Sequence, residues 1–68
     1  MTKAAEKKIA QLFALKEEKY TRQGVLNAKE AASYAVADIL NMMKGQEQYF
    51  DQLINEEIED AAKALEAA

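Results

Sequence analysis

Glycine occurs at only two positions of this 68-residue chain, 24 and 45, and proline does not occur at all. Both residue types interrupt helices, so their scarcity leaves long segments of helix formers with few places to turn. β-Branched residues, which favour strands, are few. The sequence therefore predicts an all-α fold in which the two glycines are the candidate helix ends.

The length predicts a single helical domain over residues 1–68, of a size at which one apolar core barely offsets chain entropy. Neither cysteine nor histidine occurs, so disulfides and His- or Cys-bound metals cannot supplement that core. Of the apolar residues, 14 are alanines, which favour helix but add little buried area. Close helix packing or oligomerisation is the remaining route to stability.

The first helix is predicted over residues 3–22. Thr2 is its N-cap, and apolar side chains then follow at spacings of three and four residues. Gly24 suits the left-handed position after a helix, and Val25 just beyond it can contact Tyr20, as in a Schellman motif. A turn is expected over residues 23–27, followed by a capping-box-like start in which Asn27 and Glu30 are the two partners.

The second helix is predicted to run from 28 to 66, straight through Gly45. No Ser, Thr, Asp or Asn directly follows Gly45 to cap a new helix, and Gln46 offers no apolar contact for a Schellman stop. Apolar residues on both sides of Gly45 also share one face at 100° per residue. The favoured architecture is thus a helical hairpin with a short first helix and a long second helix. A three-helix bundle with a turn near Gly45 is the alternative.

In the hairpin, the short helix covers only half of the long one, and the distal part of the long helix has an exposed apolar stripe. A second copy with two-fold symmetry is the commonest way to cover such a stripe, so a homodimeric helical bundle with coiled-coil-like packing is predicted. The predicted dimer or partner interface consists of Phe50, Leu53, Ile54, Ile58, Ala61 and Leu65. Tyr34, Met42 and Tyr49 lie off the stripe and are candidate contacts for a different protein.

Catalysis is not expected, because the chain has no His or Cys for proton transfer or nucleophilic attack and little room for a water-excluding pocket. No catalytic residue, metal site or cofactor is therefore predicted. Glu56, Glu59 and Asp60 share one helix face and could bind a hard cation across a dimer. A solvated acidic face is the favoured interpretation of this group.

Charge is unevenly distributed along the chain. Residues 1–29 carry seven basic and three acidic side chains, whereas residues 30–68 carry two basic and nine acidic ones. Lys3, Lys7 and Arg22 form a basic row on the first helix that could follow phosphates. A small dimeric hairpin with such a row resembles the Rop type of plasmid copy-number regulator in architecture, and this resemblance implies an RNA-binding dimer. The pI near 4.9 favours a protein partner over nucleic acid.

The longest apolar stretches are too short and too interrupted for a membrane span or a signal-peptide core, which predicts a cytoplasmic protein without membrane contact. Together these features predict a small non-enzymatic interaction module that dimerises through its second helix. Such a module would act as an adaptor, regulator or assembly factor for a larger protein. The RNA-binding dimer is the alternative function.

Overall fold

The computed structural model describes residues 2–67, which form three α-helices joined by two turns. Helix α1 spans Lys3–Arg22, α2 spans Ala28–Met42 and α3 spans Phe50–Ala67, with a short 3₁₀ segment at Glu47–Tyr49 before α3. Helix α1 packs against both other helices, whereas no Cα atom of α2 lies within 8 Å of a Cα atom of α3. The predicted all-α fold is confirmed, and α1 is the central helix.

The ends of α1 are fixed by hydrogen bonds that the sequence indicates. The Thr2 hydroxyl accepts the N–H of Ala5 at 3.1 Å. At the other end Gly24 has a φ of +75°, and the N–H groups of Gly24 and Val25 donate to the carbonyls of Thr21 and Tyr20 at 3.1 and 3.0 Å. These two bonds are the pair that defines a Schellman motif. They end α1 at Arg22, where the helix was expected to end.

Helix α2 begins differently from the expected capping box. Asn27 is the N-cap residue but has a left-handed backbone, with φ at 61°, and its side chain caps no backbone N–H. Instead its Nδ2 donates to the Glu30 carboxylate at 2.7 Å. The two residues are paired as predicted, but through their side chains alone, because the left-handed backbone turns the Asn27 side chain away from the first helical N–H groups.

The chain turns at Gly45, so the continuous helix predicted over residues 28–66 is wrong and the three-helix alternative agrees with the structure. Helix α2 tightens as it ends, since the N–H groups of Met43 and Lys44 donate to carbonyls three residues earlier. Gly45 then takes a φ of +84°, and the N–H of Gln46 donates to the Met43 carbonyl at 3.0 Å. A left-handed glycine therefore stops the helix without the apolar contact of a Schellman motif.

The Glu47 carboxylate takes part in this turn, because its Oε1 accepts the N–H of Gly45 at 3.2 Å. Hydrogen bonds from the backbone N–H groups of Glu47 and Gly45 hold the pKa of the Glu47 carboxyl below its usual value. The carboxylate thus holds the turn from a position two residues after the glycine, but it caps no helix, and the Gln46 side chain at the start of the 3₁₀ segment makes no capping hydrogen bond either. The absence of a conventional cap at Gly45 was therefore a misleading sign of a continuous helix.

Replacing Gly45 by L-alanine should destabilise the protein by about 1–2 kcal/mol, because a Cβ makes the left-handed conformation unfavourable. No atom outside the neighbouring residues lies within 4 Å of the added Cβ, so the backbone alone sets this cost. In a continuous helix the same change would instead stabilise by about 1 kcal/mol. Urea unfolding of Gly45→Ala measures the sign. A chemically synthesised chain with D-alanine at 45 is the matched control and should be at least as stable as the parent.

The core is small and lies where α1 faces the other two helices. Leu12 of α1 is fully buried and belongs to one cluster with residues of both other helices. Ile54 of α3 is the other large side chain with no exposed surface. The remaining members of this cluster are Val36, Ile39, Met43 and Ala61. Three of the eight buried apolar residues of the described chain are alanines, so little bulk supports the fold.

Candidate functional site

The stripe predicted as a dimer interface lies on α3 and packs within the chain itself. Ile54 and Ala61 are buried in the core, while Phe50, Leu53 and Ile58 are half-buried and pack against it. Leu65 is also half-buried, and its carbonyl accepts the Arg22 guanidinium at 3.3 Å. The expectation that this stripe faces water in a monomer is therefore wrong, because the turn at Gly45 folds α3 back onto α1.

The outer face of α2 carries exposed apolar side chains. Tyr34 and Met42 are 67% and 68% exposed, and Asp38 lies between them at spacings of four residues. We refer to Tyr34, Asp38 and Met42 as the outer stripe. Because Val36, Ile39 and Met43 occupy the inner face of α2, the outer stripe points away from the core. Tyr and Met are enriched at protein interfaces. In the free protein, their apolar atoms in the outer stripe are exposed to water.

Two further exposed apolar residues lie in the turns. Tyr49, on the 3₁₀ segment, is half exposed, so all three candidate partner contacts from the sequence are open to solvent. Leu26 is 92% exposed and was missed by the sequence analysis. Its position is a usable signal, since it follows the Gly24–Val25 helix stop and precedes the α2 N-cap. A leucine in so short a turn has no helix face on which to be buried.

The basic row predicted on α1 is present only in part. Lys3 and Lys7 are exposed on α1. Arg22 is not free, because its guanidinium pairs with the Glu18 carboxylate at 2.8 Å and also donates to α3. The structure thus uses Arg22 to join the ends of α1 and α3. Two exposed lysines remain of the three residues proposed to follow phosphates.

The acidic residues of α3 do not form a ligand cluster. Over residues 2–67, no three carboxylates lie close enough together to hold a metal ion. Glu59 pairs with Lys63 at 2.9 Å, and this hydrogen bond raises the pKa of the Lys63 ammonium. Glu56 and Asp60 are exposed at the surface. All three carboxylates of this face are therefore open to solvent.

An open apolar groove runs between α1 and α2 on the side away from α3. It has a volume of about 540 Å³. Its walls include half-buried Ile9, Phe13 and Leu40, buried Val36, and the small exposed residues Ala10 and Ala37. We refer to this feature as the α1/α2 groove. A groove with apolar walls and alanines at its rim can accept another helix at short distance.

Comparisons with protein-family models, with curated proteins and with solved structures found no match to this chain. Within residues 2–67, no helix has both the length and the apolar character that crossing a membrane requires. Functional inference therefore depends on the exposed apolar surface, the groove and the charges around them.

Proposed function

We propose that this chain is a small non-enzymatic protein-interaction module that serves a larger protein as an adaptor, regulator or assembly factor. The observation that carries the proposal is the exposure of the outer stripe, where Tyr34 and Met42 are each about two-thirds exposed. A partner that covers side chains of this size would gain the free energy of removing their apolar area from water. The composition supports a non-catalytic role, since the chain has no His or Cys.

The outer stripe has the composition of an adaptable contact surface. Tyr34 offers a rigid aromatic ring with a hydroxyl at its end, and Met42 offers a flexible, polarisable side chain. Asp38 between them supplies one charge that can select an amide or basic group on the partner. Tyr49 and Leu26 are exposed at opposite ends of α2 and could extend the contact beyond the helix.

The RNA-binding alternative has less support, because Arg22 is already paired and only Lys3 and Lys7 of the proposed row are free of described ion pairs. The acidic pI of 4.9 also opposes binding to a polyanion. Homodimerisation remains part of the proposal, but not through the α3 stripe, whose central residues fill the monomer core.

The proposal predicts that Tyr34→Ser/Met42→Ser weakens binding to the protein partner at least tenfold while leaving the fold intact. The partner is identified by retention from lysate of cells that express the chain, then purified and titrated by calorimetry. Gln52→Ser/Asn55→Ser, on the exposed face of α3, is the matched control and should bind like the parent. Equal affinity of both double variants would contradict the assignment of the outer stripe. Failure of the parent to bind any purified candidate would contradict the module itself.

A further inference from the structure

The α1/α2 groove is flanked by charges in a regular order. On α1 the row reads Glu6, Ala10, Phe13 and Glu17, at spacings of four, three and four residues; the first three line the groove, and Glu17 continues the same helix face beyond it. On the opposite side the row reads Lys29, Ser33, Val36, Leu40 and Lys44, at spacings of four, three, four and four. Ser33, Val36 and Leu40 line the groove, Lys29 precedes them on α2, and Lys44 follows the end of α2. The α1 side therefore has a glutamate at each end, and the α2 side has a lysine at each end.

These four charges are not used by the chain itself. The ion pairs of residues 2–67 are Lys8 with Asp51, Arg22 with Glu18, and Lys63 with Glu59. None of them includes Glu6, Glu17, Lys29 or Lys44. The groove is therefore an apolar surface framed by charges that have no partner within 4 Å in the described chain.

The chain also exposes more surface than is expected of a compact monomer of its mass. The chain exposes 4871 Å². A compact monomer of its mass is expected to expose only about 4,300 Å². A second copy on the α1/α2 groove would bury part of this excess of roughly 600 Å². The core is small, and Leu12 and Ile54 are its only large fully buried side chains among the described residues. Burying more apolar surface in a dimer would therefore stabilise the fold.

We infer that the α1/α2 groove is the interface of a homodimer in which α1 of one copy packs on α2 of the other. This deepens the self-association part of the proposed function by assigning its face and symmetry, and it uses a surface separate from the outer stripe. The two copies are related by a two-fold axis that lies in the interface plane, parallel to the helices. The result is a four-helix core with antiparallel neighbours.

Charge selects this axis. Helices α1 and α2 are antiparallel, so Glu6 is level with the end of α2, whereas Glu17 lies about one helical turn from the level of Lys29. Rotation about an axis parallel to the helices keeps these levels and places each α1 wall over the other copy's α2 wall. Glu6 then faces Lys44 of the second copy, and Glu17 lies about one helical turn along the axis from Lys29 of the second copy, an offset that the two long side chains can span. An axis perpendicular to the helices would instead oppose acid to acid and lysine to lysine, which is unfavourable.

The deciding experiment uses two charge variants and their mixture. Glu6→Lys/Glu17→Lys makes both walls basic, and Lys29→Glu/Lys44→Glu makes both walls acidic. Either variant alone should show a dimer dissociation constant raised at least tenfold relative to the parent in sedimentation equilibrium. Mixed in equal amounts, they should form a heterodimer of about twice 7.6 kDa, because every cross-copy pair is again of opposite charge. Charge effects within one chain cannot produce this recovery.

The parent should itself be a dimer at low micromolar concentration, and a monomeric parent would overturn the inference. So would a mixture that stays as dissociated as its components. As a test that leaves the four flanking charges unchanged, Ala10→Arg places a large side chain at the rim of the groove and should give monomers, whereas Gln11→Arg on the exposed outer side of α1 should not. A dimeric Ala10→Arg chain would exclude this face. Binding of a different protein through the outer stripe is measured separately. A failure of the dimer test therefore does not decide the binding test, and a failure of the binding test does not decide the dimer test.

Discussion

Ile54→Asp should abolish the folded state of the whole chain and not only of α3. Ile54 has no exposed surface and lies in the same cluster as Leu12 and Val36 from the other two helices. Burying an unpaired carboxylate there costs several kcal/mol. A domain of this length has a total stability of only about 3–10 kcal/mol. The helical circular dichroism signal at 222 nm should fall across the chain, with no cooperative thermal transition left.

The neighbouring substitution Asn55→Asp is the matched control, because it introduces the same charge on an exposed position of α3. It should melt within a few degrees of the parent. If Ile54→Asp instead kept a cooperative melt with residues 2–42 still helical, as resolved by backbone NMR, then α1 and α2 would be stable without α3. That result would restore the hairpin as the folding unit and leave α3 as an appended helix.

Leu12→Ala should have the second largest effect, at about 2–5 kcal/mol of lost stability. Leu12 is the residue of the central helix that joins α2 and α3 in one core, and it is fully buried. Truncation removes its apolar area and leaves a cavity that the adjacent helices can only partly close. Urea unfolding should show a lower midpoint at unchanged slope, or an unfolded protein if the parent is near the lower end of the stability range.

The same leucine-to-alanine change at Leu26 is the control. Leu26 is 92% exposed, so its truncation should change stability by less than about 0.5 kcal/mol. Equal effects at Leu12 and Leu26 would contradict the placement of Leu12 in the core. A large effect at Leu26 alone would show that it is covered in solution, for which a partner surface on the turn is the direct explanation.

Local chemistry explains which parts of the fold the sequence predicted correctly. Thr2 and the Gly24–Val25 pair specify the ends of α1 through hydrogen bonds within a few residues of the chain, so their effect does not depend on what packs nearby. The exposure of Tyr34 and Met42 was predictable for a similar reason, since both lie off the apolar face of α2. The exposure of Leu26 could have been predicted too, since it lies inside the turn over residues 23–27 that the sequence indicates.

The turn at Gly45 is the part that local reasoning missed. Apolar residues before and after it share one helical phase, and that phase is the same whether the chain continues or folds back. The side chain that holds the turn comes from Glu47, which has helical propensity and gives no stop signal on its own. A sequence pattern that fits both architectures cannot distinguish them.

What the sequence determined by itself is the helical content, the position of α1 and the identity of the side chains that need to be buried, because propensity, capping and periodicity act over a few residues. What the tertiary structure decided is where that burial takes place. A straight second helix would leave Ile54 and Ala61 in water, whereas a turn at Gly45 buries both against α1 at the cost of one left-handed glycine. Apolar burial outweighs a glycine turn by several kcal/mol, and this difference is a property of the packed helices and not of any one of them.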